Sequence, residues 1–205
     1  MDGIIFDVDG TLWDSTDSVA ESWNLALREH SSLDLVIDAD ILSRLFGKTM
    51  NEIADAVFPM LSPEERMRLL EICFDYENRY LETHPGTMYP GAVDTLRRLS
   101  KKYPLFIVSN CQKGYIEAMM KSCGMESYIT DHLCFGETGQ PKSVTIRLLM
   151  ERNSLNDVVY VGDTQGDADA CRDAGIPFVF AAYGFGEVPD ASQKIDSLPD
   201  LCNIF

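Results

Sequence analysis

Ile4-Ile5-Phe6-Asp7-Val8-Asp9-Gly10-Thr11-Leu12 is the stretch from which the fold of this chain can be worked out. Three apolar residues in a row read as a short strand buried on both faces, the kind that parallel sheets use. The run stops at two carboxylates one residue apart, followed by a glycine and a hydroxyl that suit a turn. In an open α/β sheet, ligands bind just beyond the carboxyl ends of the strands, which is where Asp7 and Asp9 fall. Taken alone, Asp-x-Asp-Gly also describes an acidic strand end running into a turn, so the rest of the chain has to decide.

Downstream, strand and helix alternate from Tyr89-Pro90-Gly91 onward. A helix over 91–102 precedes the strand Leu105-Phe106-Ile107-Val108, and one over 113–123 precedes weaker strand material at 132–135. Helices over 142–152 and 167–174 precede Val158-Val159-Tyr160-Val161 and Phe178-Val179-Phe180. Such alternation predicts an α/β fold with a doubly wound, mostly parallel sheet and right-handed crossovers. Leu198, Leu201 and Ile204 in the tail are expected to close one side of it.

Residues 15–85 read differently, as four helices without a strand. Asp17 or Ser18 can cap the first, whose apolar face carries Val19, Trp23, Ala26 and Leu27. Asp38 starts a short second helix, and Met50, Ile53, Ala54 and Val57 mark a third. Ser62-Pro63-Glu64-Glu65 opens the longest, with serine as N-cap and proline at the first helical position, and it ends near His84-Pro85-Gly86.

The totals narrow the function classes. With 205 residues, one large domain carrying a smaller insertion is expected, and a formal charge of −16 argues against nucleic-acid or anionic-membrane partners. No apolar run reaches transmembrane length. The first strand begins almost at Met1, so no signal or transit peptide is expected. Six cysteines without zinc or Cys-x-x-Cys spacing read as reduced core thiols, so a cytoplasmic protein is expected.

Three further pieces match the first stretch in kind. The strand at 105–108 ends in Ser109-Asn110, and the strand at 158–161 ends in Gly162-Asp163-Thr164-Gln165-Gly166-Asp167. Between them Lys142 stands at a helix start after Pro141. In that order, the four pieces resemble the motifs of the haloacid dehalogenase (HAD) superfamily. The helical insertion resembles the small α-helical cap of its phosphatase branch, and the whole is most similar to phosphoglycolate phosphatases. The resemblance implies a Rossmann-like core from 1–14 and 88–205 with the cap over 15–87.

It also implies a chemistry that explains the residue types. Phosphate monoesters hydrolyse very slowly, so an enzyme must neutralise charge and position an in-line attacker. By resemblance Asp7 is the nucleophile, giving an aspartyl-phosphate, and Asp9 the acid that protonates the leaving oxygen and then activates water. Mg²⁺ is implied as cofactor, held by Asp7, the Asp9 carbonyl and Asp163 with Asp167 adjacent. Ser109 and Lys142 hold the transferring phosphoryl, while Thr11 and Asn110 fall on the substrate side. Arg44-Leu45-Phe46-Gly47-Lys48-Thr49 resembles the cap's specificity loop, so Lys48 and Arg44 are expected to meet a second polar part of the substrate. The partner expected is a small phosphate ester, phosphoglycolate first.

Rival readings leave different marks. Dehalogenases with this resemblance lack the second aspartate, which Asp9 supplies. Phosphosugar mutases of the β-phosphoglucomutase type tend to carry an apolar residue where Thr11 stands and a cap histidine where Val19 stands. A non-catalytic interaction module would need one core carboxylate or the lysine to be missing. Cys111 is no phosphatase nucleophile of the Cys-x5-Arg kind, since no such arginine follows it.

Overall fold

In the computed structural model, which describes Met1–Phe205, the first strand is the centre of the molecule. The chain runs β1 (Gly3–Phe6), β2 (Trp13–Asp14), α1 (Thr16–His30), α2 (Ala39–Ser43), α3 (Met50–Val57), α4 (Pro63–Leu81) and β3 (Thr87–Met88). It continues through α5 (Ala92–Leu99), β4 (Leu105–Ser109), α6 (Tyr115–Cys123), β5 (Asp131–Cys134), α7 (Phe135–Thr138) and α8 (Lys142–Arg152). It closes with β6 (Val158–Gly162), α9 (Gln165–Ala174), β7 (Phe178–Ala181), β8 (Lys194–Ile195) and α10 (Leu201–Ile204).

Six strands form one sheet in the order β5-β4-β1-β6-β7-β8, and every pairing is parallel. Ile4 sits beside both Leu105 and Val159, and Phe6 beside Ile107 and Val161. The chain moves outward from β1 through β4 to β5, then returns to build the other side from β6. That reversal puts the crevice at the carboxyl end of β1. Side chains alternate between faces as strand geometry requires. Ile4, Phe6 and Ile107 join a core of 41 buried residues, while Ile5, Phe106 and Val108 join a smaller one of 10 with Ile146 and Leu149 of α8. Apolar cover on both faces explains why the strands read as unbroken apolar runs.

The four expected helices between the first strand and residue 85 are present. Ser62 accepts from Glu65 N–H and Glu65 reaches back to Ser62, a capping box with Pro63 in the first turn. α1 packs along α4, with Trp23 edge-on to Phe74 at 5.8 Å between ring centres. The start of α1 differs from the expectation: it opens at Thr16, and Asp14, not Asp17 or Ser18, takes its first N–H at 2.9 Å. The cause is an unforeseen two-stranded ribbon, β2 against β3, pairing Trp13 with Met88 and Asp14 with Thr87. It fixes the chain where it leaves the sheet and where it comes back. In the tail Leu198 and Leu201 are buried, but Ile204 stays 38% exposed and contributes little to closing the sheet. All six cysteines are free, and no helix is long and apolar enough to cross a membrane.

Candidate active site

Four strand and helix ends deliver charged side chains to one point. Asp7 follows β1, its N–H bonded to the Val161 carbonyl of β6 at 2.9 Å. Asp163 follows β6, Lys142 opens α8, and Asp167 lies in the first turn of α9. Carboxylate oxygens of Asp7, Asp163 and Asp167 lie within 4.8 Å of one another, and all three residues are buried. Lys142 Nζ is 3.1 Å from Asp7 Oδ1 and 2.5 Å from Asp167 Oδ1. Asp167 also completes the capping box of α9 opposite the N-cap Thr164, its other oxygen accepting from Thr164 N–H at 3.0 Å and Thr164 Oγ1 at 2.7 Å.

Tight backbone makes this crowding possible. Gly10 has φ +78°, and a Cβ there would fall 2.1 Å from Asp163 Oδ2. Gly184 approaches from the loop after β7, where a Cβ would lie 2.3 Å from Asp163 Cβ, and the next N–H, of Phe185, donates to Asp163 Oδ2 at 2.8 Å. Thr11 is fully buried and its hydroxyl points to Asp163 Oδ1 at 3.4 Å. The Thr11 hydroxyl is thus turned toward the carboxylate cluster.

Three carboxylates share one ammonium, and their acidities reflect it. Burial raises Asp163 to about 8, with the charges of Asp167 and Asp7 adding to it. Burial likewise raises Asp7 to about 6, against the opposing pull of Lys142. The Lys142 ammonium is held charged despite burial, because Asp167 and Asp7 flank it. An all-oxygen donor set with two negative charges in excess fits a hard divalent cation.

Asp9 points elsewhere and is not part of that side-chain cluster. Trp13 Nε1 (3.0 Å), Ser15 Oγ (3.0 Å) and Tyr115 Oη (2.5 Å) all converge on its Oδ1. Its Oδ2 takes no hydrogen bond from the protein. Burial lifts this carboxyl to about 7, the Tyr115 bond partly opposing it, which suits a group that gives and takes a proton near neutral pH.

Asp9 lines a cavity of about 30 Å³ between the sheet rim and the helical insertion. Ser109, Asn110 and Lys48 line it as well, together with Glu77 and Gln112. Asn110 Nδ2 donates to the Gly47 carbonyl at 2.8 Å, and Phe46 meets Phe185 at 6.1 Å between ring centres, so the 44–49 loop rests on the sheet rim. Arg44 is exposed at the end of α2 and does not line the cavity. Burial, with Cys134 beside it, holds the Cys111 thiol far above its usual value, which leaves no thiolate to attack.

Residues 4–181 match the family model described as haloacid dehalogenase-like hydrolase. The chain belongs to that family. A phosphoglycolate phosphatase from Mesorhizobium japonicum is 30% identical over 195 residues, 89% of this chain and 83% of that one. One from Vibrio vulnificus is 29% identical over 223 residues, covering 98% and 94%. A haloacid dehalogenase-like family hydrolase from Streptococcus pneumoniae shares the fold with a TM-score of 0.83 at 20% identity, covering 100% and 98% of the two chains.

This haloacid dehalogenase-like hydrolase is a phosphatase of the phosphoglycolate phosphatase-like branch. Several of its site residues carry no sequence motif. Tyr115, Trp23, Glu77, Gln112 and the Phe185 N–H reach the site through tertiary packing, from the interiors of α1 and α4, the start of α6 and two loops. A glutamate on the apolar face of α4, among Leu70, Cys73, Phe74 and Leu81, was the one visible irregularity.

Proposed function

We propose that this phosphatase hydrolyses the monoester of a small phosphorylated metabolite through an aspartyl-phosphate on Asp7. The observation that carries the reading is the meeting of Asp7, Asp163, Asp167 and Lys142 at the carboxyl edge of the sheet, with Asp9 beside them. An Asp7 carboxylate oxygen attacks phosphorus in line as the bond to the leaving oxygen breaks, and Asp9 Oδ2 gives that oxygen its proton. Asp9 then takes a proton from water as the water oxygen attacks phosphorus, releasing phosphate and restoring Asp7. Lys142 holds Asp7 in place and balances its charge, while Ser109 and Asn110 offer donors to the phosphoryl oxygens.

Asp7, Asp163 and the Asp9 carbonyl would hold Mg²⁺ with Asp167 beside them, and the ion would supply neutralisation of the phosphate's charge. Segment 15–87 would act as a cap that excludes water over a core of 1–14 and 88–205. Lys48 meets the far part of the substrate from that cap. The net charge and the lack of a spanning helix suit a cytoplasmic enzyme of small metabolites. Phosphoglycolate heads the substrates to test, because the relatives carry that name.

The test is phosphate release over a panel of phosphorylated metabolites, with Mg²⁺ and with EDTA, followed by acid quenching to trap labelled protein. Mg²⁺-dependent release with label on wild type and none on Asp7→Asn is expected. Release indifferent to EDTA, or phosphate shuttled between sugar carbons without release, would overturn it.

A further inference from the structure

The cavity has two kinds of wall. The sheet side presents Asp9, Ser109 and Asn110, and the helical insertion presents Glu77 of α4 and Trp23 of α1. Glu77 is 3% exposed and sits on a face otherwise made of Leu70, Cys73, Phe74 and Leu81. Trp23 Nε1 donates to its Oε2 at 2.5 Å, and Gln112 Nε2 donates to its Oε1 at 3.0 Å. Gln112 is itself fixed by a second bond, to Asn78 Oδ1 at 3.0 Å. Helix packing asks for none of this, since an apolar residue would fill the position at lower cost.

No buried cation serves that wall. Lys142 is committed to Asp7 and Asp167, and Lys48, which lines the cavity from the 44–49 loop, is solvent-exposed and makes no ion pair with Glu77. Burial pushes the Glu77 carboxyl up to about 8, with the charge of Asp9 adding to it. A carboxylate on the leaving group would lie against the Glu77 carboxyl, which has no cation beside it and only the neutral Trp23 and Gln112 donors. A purely aliphatic leaving group would offer Glu77 nothing beyond the Trp23 and Gln112 bonds it already has. A hydroxyl accepts from the acid and donates to the carboxylate, so it satisfies Glu77 in either state.

We infer that Glu77 is a specificity-determining residue that reads a hydroxyl on the leaving group, so that the preferred substrates are monophosphates of small polyols. This rests on the phosphomonoester reading above and sharpens its substrate class. Phosphoglycolate then becomes the poorer member of a matched pair with 2-hydroxyethyl phosphate, which carries CH₂OH where phosphoglycolate carries a carboxylate.

The experiment measures kcat/KM for 2-hydroxyethyl phosphate and phosphoglycolate in Mg²⁺, on wild type, Glu77→Gln and Glu77→Leu, with melting curves to confirm that each variant folds. A wild-type preference of about tenfold or more for the hydroxylated ester is expected, shrinking in Gln and collapsing in Leu. A loss of packing alone would slow both esters together and leave the ratio where it was. Turnover with a ratio unmoved by both variants, or a wild type that prefers phosphoglycolate, would overturn the inference and leave the hydrolase reading standing. No turnover of any phosphate ester by wild type would overturn both.

Discussion

Two buried acidic places lie close together in this enzyme and handle their charge in opposite ways. At the sheet rim, Asp7, Asp163 and Asp167 surround a buried ammonium and form an oxygen-lined site suited to a divalent cation. On the helical wall, Glu77 has only neutral donors, the Trp23 indole and the Gln112 amide. The rim sets one ammonium, Lys142, among its carboxylates, and that charge opposes the effect of burial on Asp7. The wall can hold its carboxyl most easily with a proton on. A concentration of charge serves attack on a phosphate, whereas a near-neutral polar edge serves recognition of what departs.

The contrast can be broken at either place. Asp7→Asn should lower turnover by at least about a thousandfold, with the melting temperature nearly kept, since the amide fills the same volume. Phosphate-release assays beside thermal melts check it, and a small loss would remove Asp7 from the role of attacker. Lys142→Met takes the one ammonium from three buried carboxylates and should cost about 3 kcal/mol in EDTA, read from urea unfolding.

Glu77→Gln tests the wall through its pH dependence. Burial holds the carboxyl near 8 in the folded chain against 4.5 when unfolded, so folding favours the protonated form. Wild type is therefore fully supported below about pH 4.5 and loses stability as pH rises toward 8, a loss that glutamine escapes. Between pH 5 and pH 8 the variant should gain roughly 3 to 4 kcal/mol on wild type, and parallel curves would mean that Glu77 stays ionised throughout. Thr164→Ala should have the smallest effect, about 1 kcal/mol, by removing the cap of α9 that also steadies Asp167.

The same two places differ in how far they can be read from the chain. At the rim, each contributor lies at the end of a strand or the start of a helix, where an apolar run breaks into polar residues. A parallel sheet brings such ends to one edge, so the meeting of Asp7, Lys142 and Asp163 could be expected from their order, while the roles assigned to them came from the family resemblance. Five of the six strands followed from alternation, while the two-residue β8, Lys194–Ile195, did not. The wall is built from helix interiors, and no local pattern tells Glu77 or Trp23 which neighbour it will meet. Thr11 shows the limit within the rim itself: its place beside Asp9 was clear, but its aim toward Asp163 depends on how Gly10 turns the chain. The β2–β3 ribbon stayed hidden because two-residue strands are too short to show a period.

That ribbon has one more consequence. With Asp14 opposite Thr87, the chain departs from the sheet and re-enters it through a single doorway. To the six strands, everything beyond the doorway is a loop whose ends are already joined, so its length and content place no strain on their register. Natural selection could fit another room behind the same door and change the guest admitted while the hearth at the sheet's edge stayed lit.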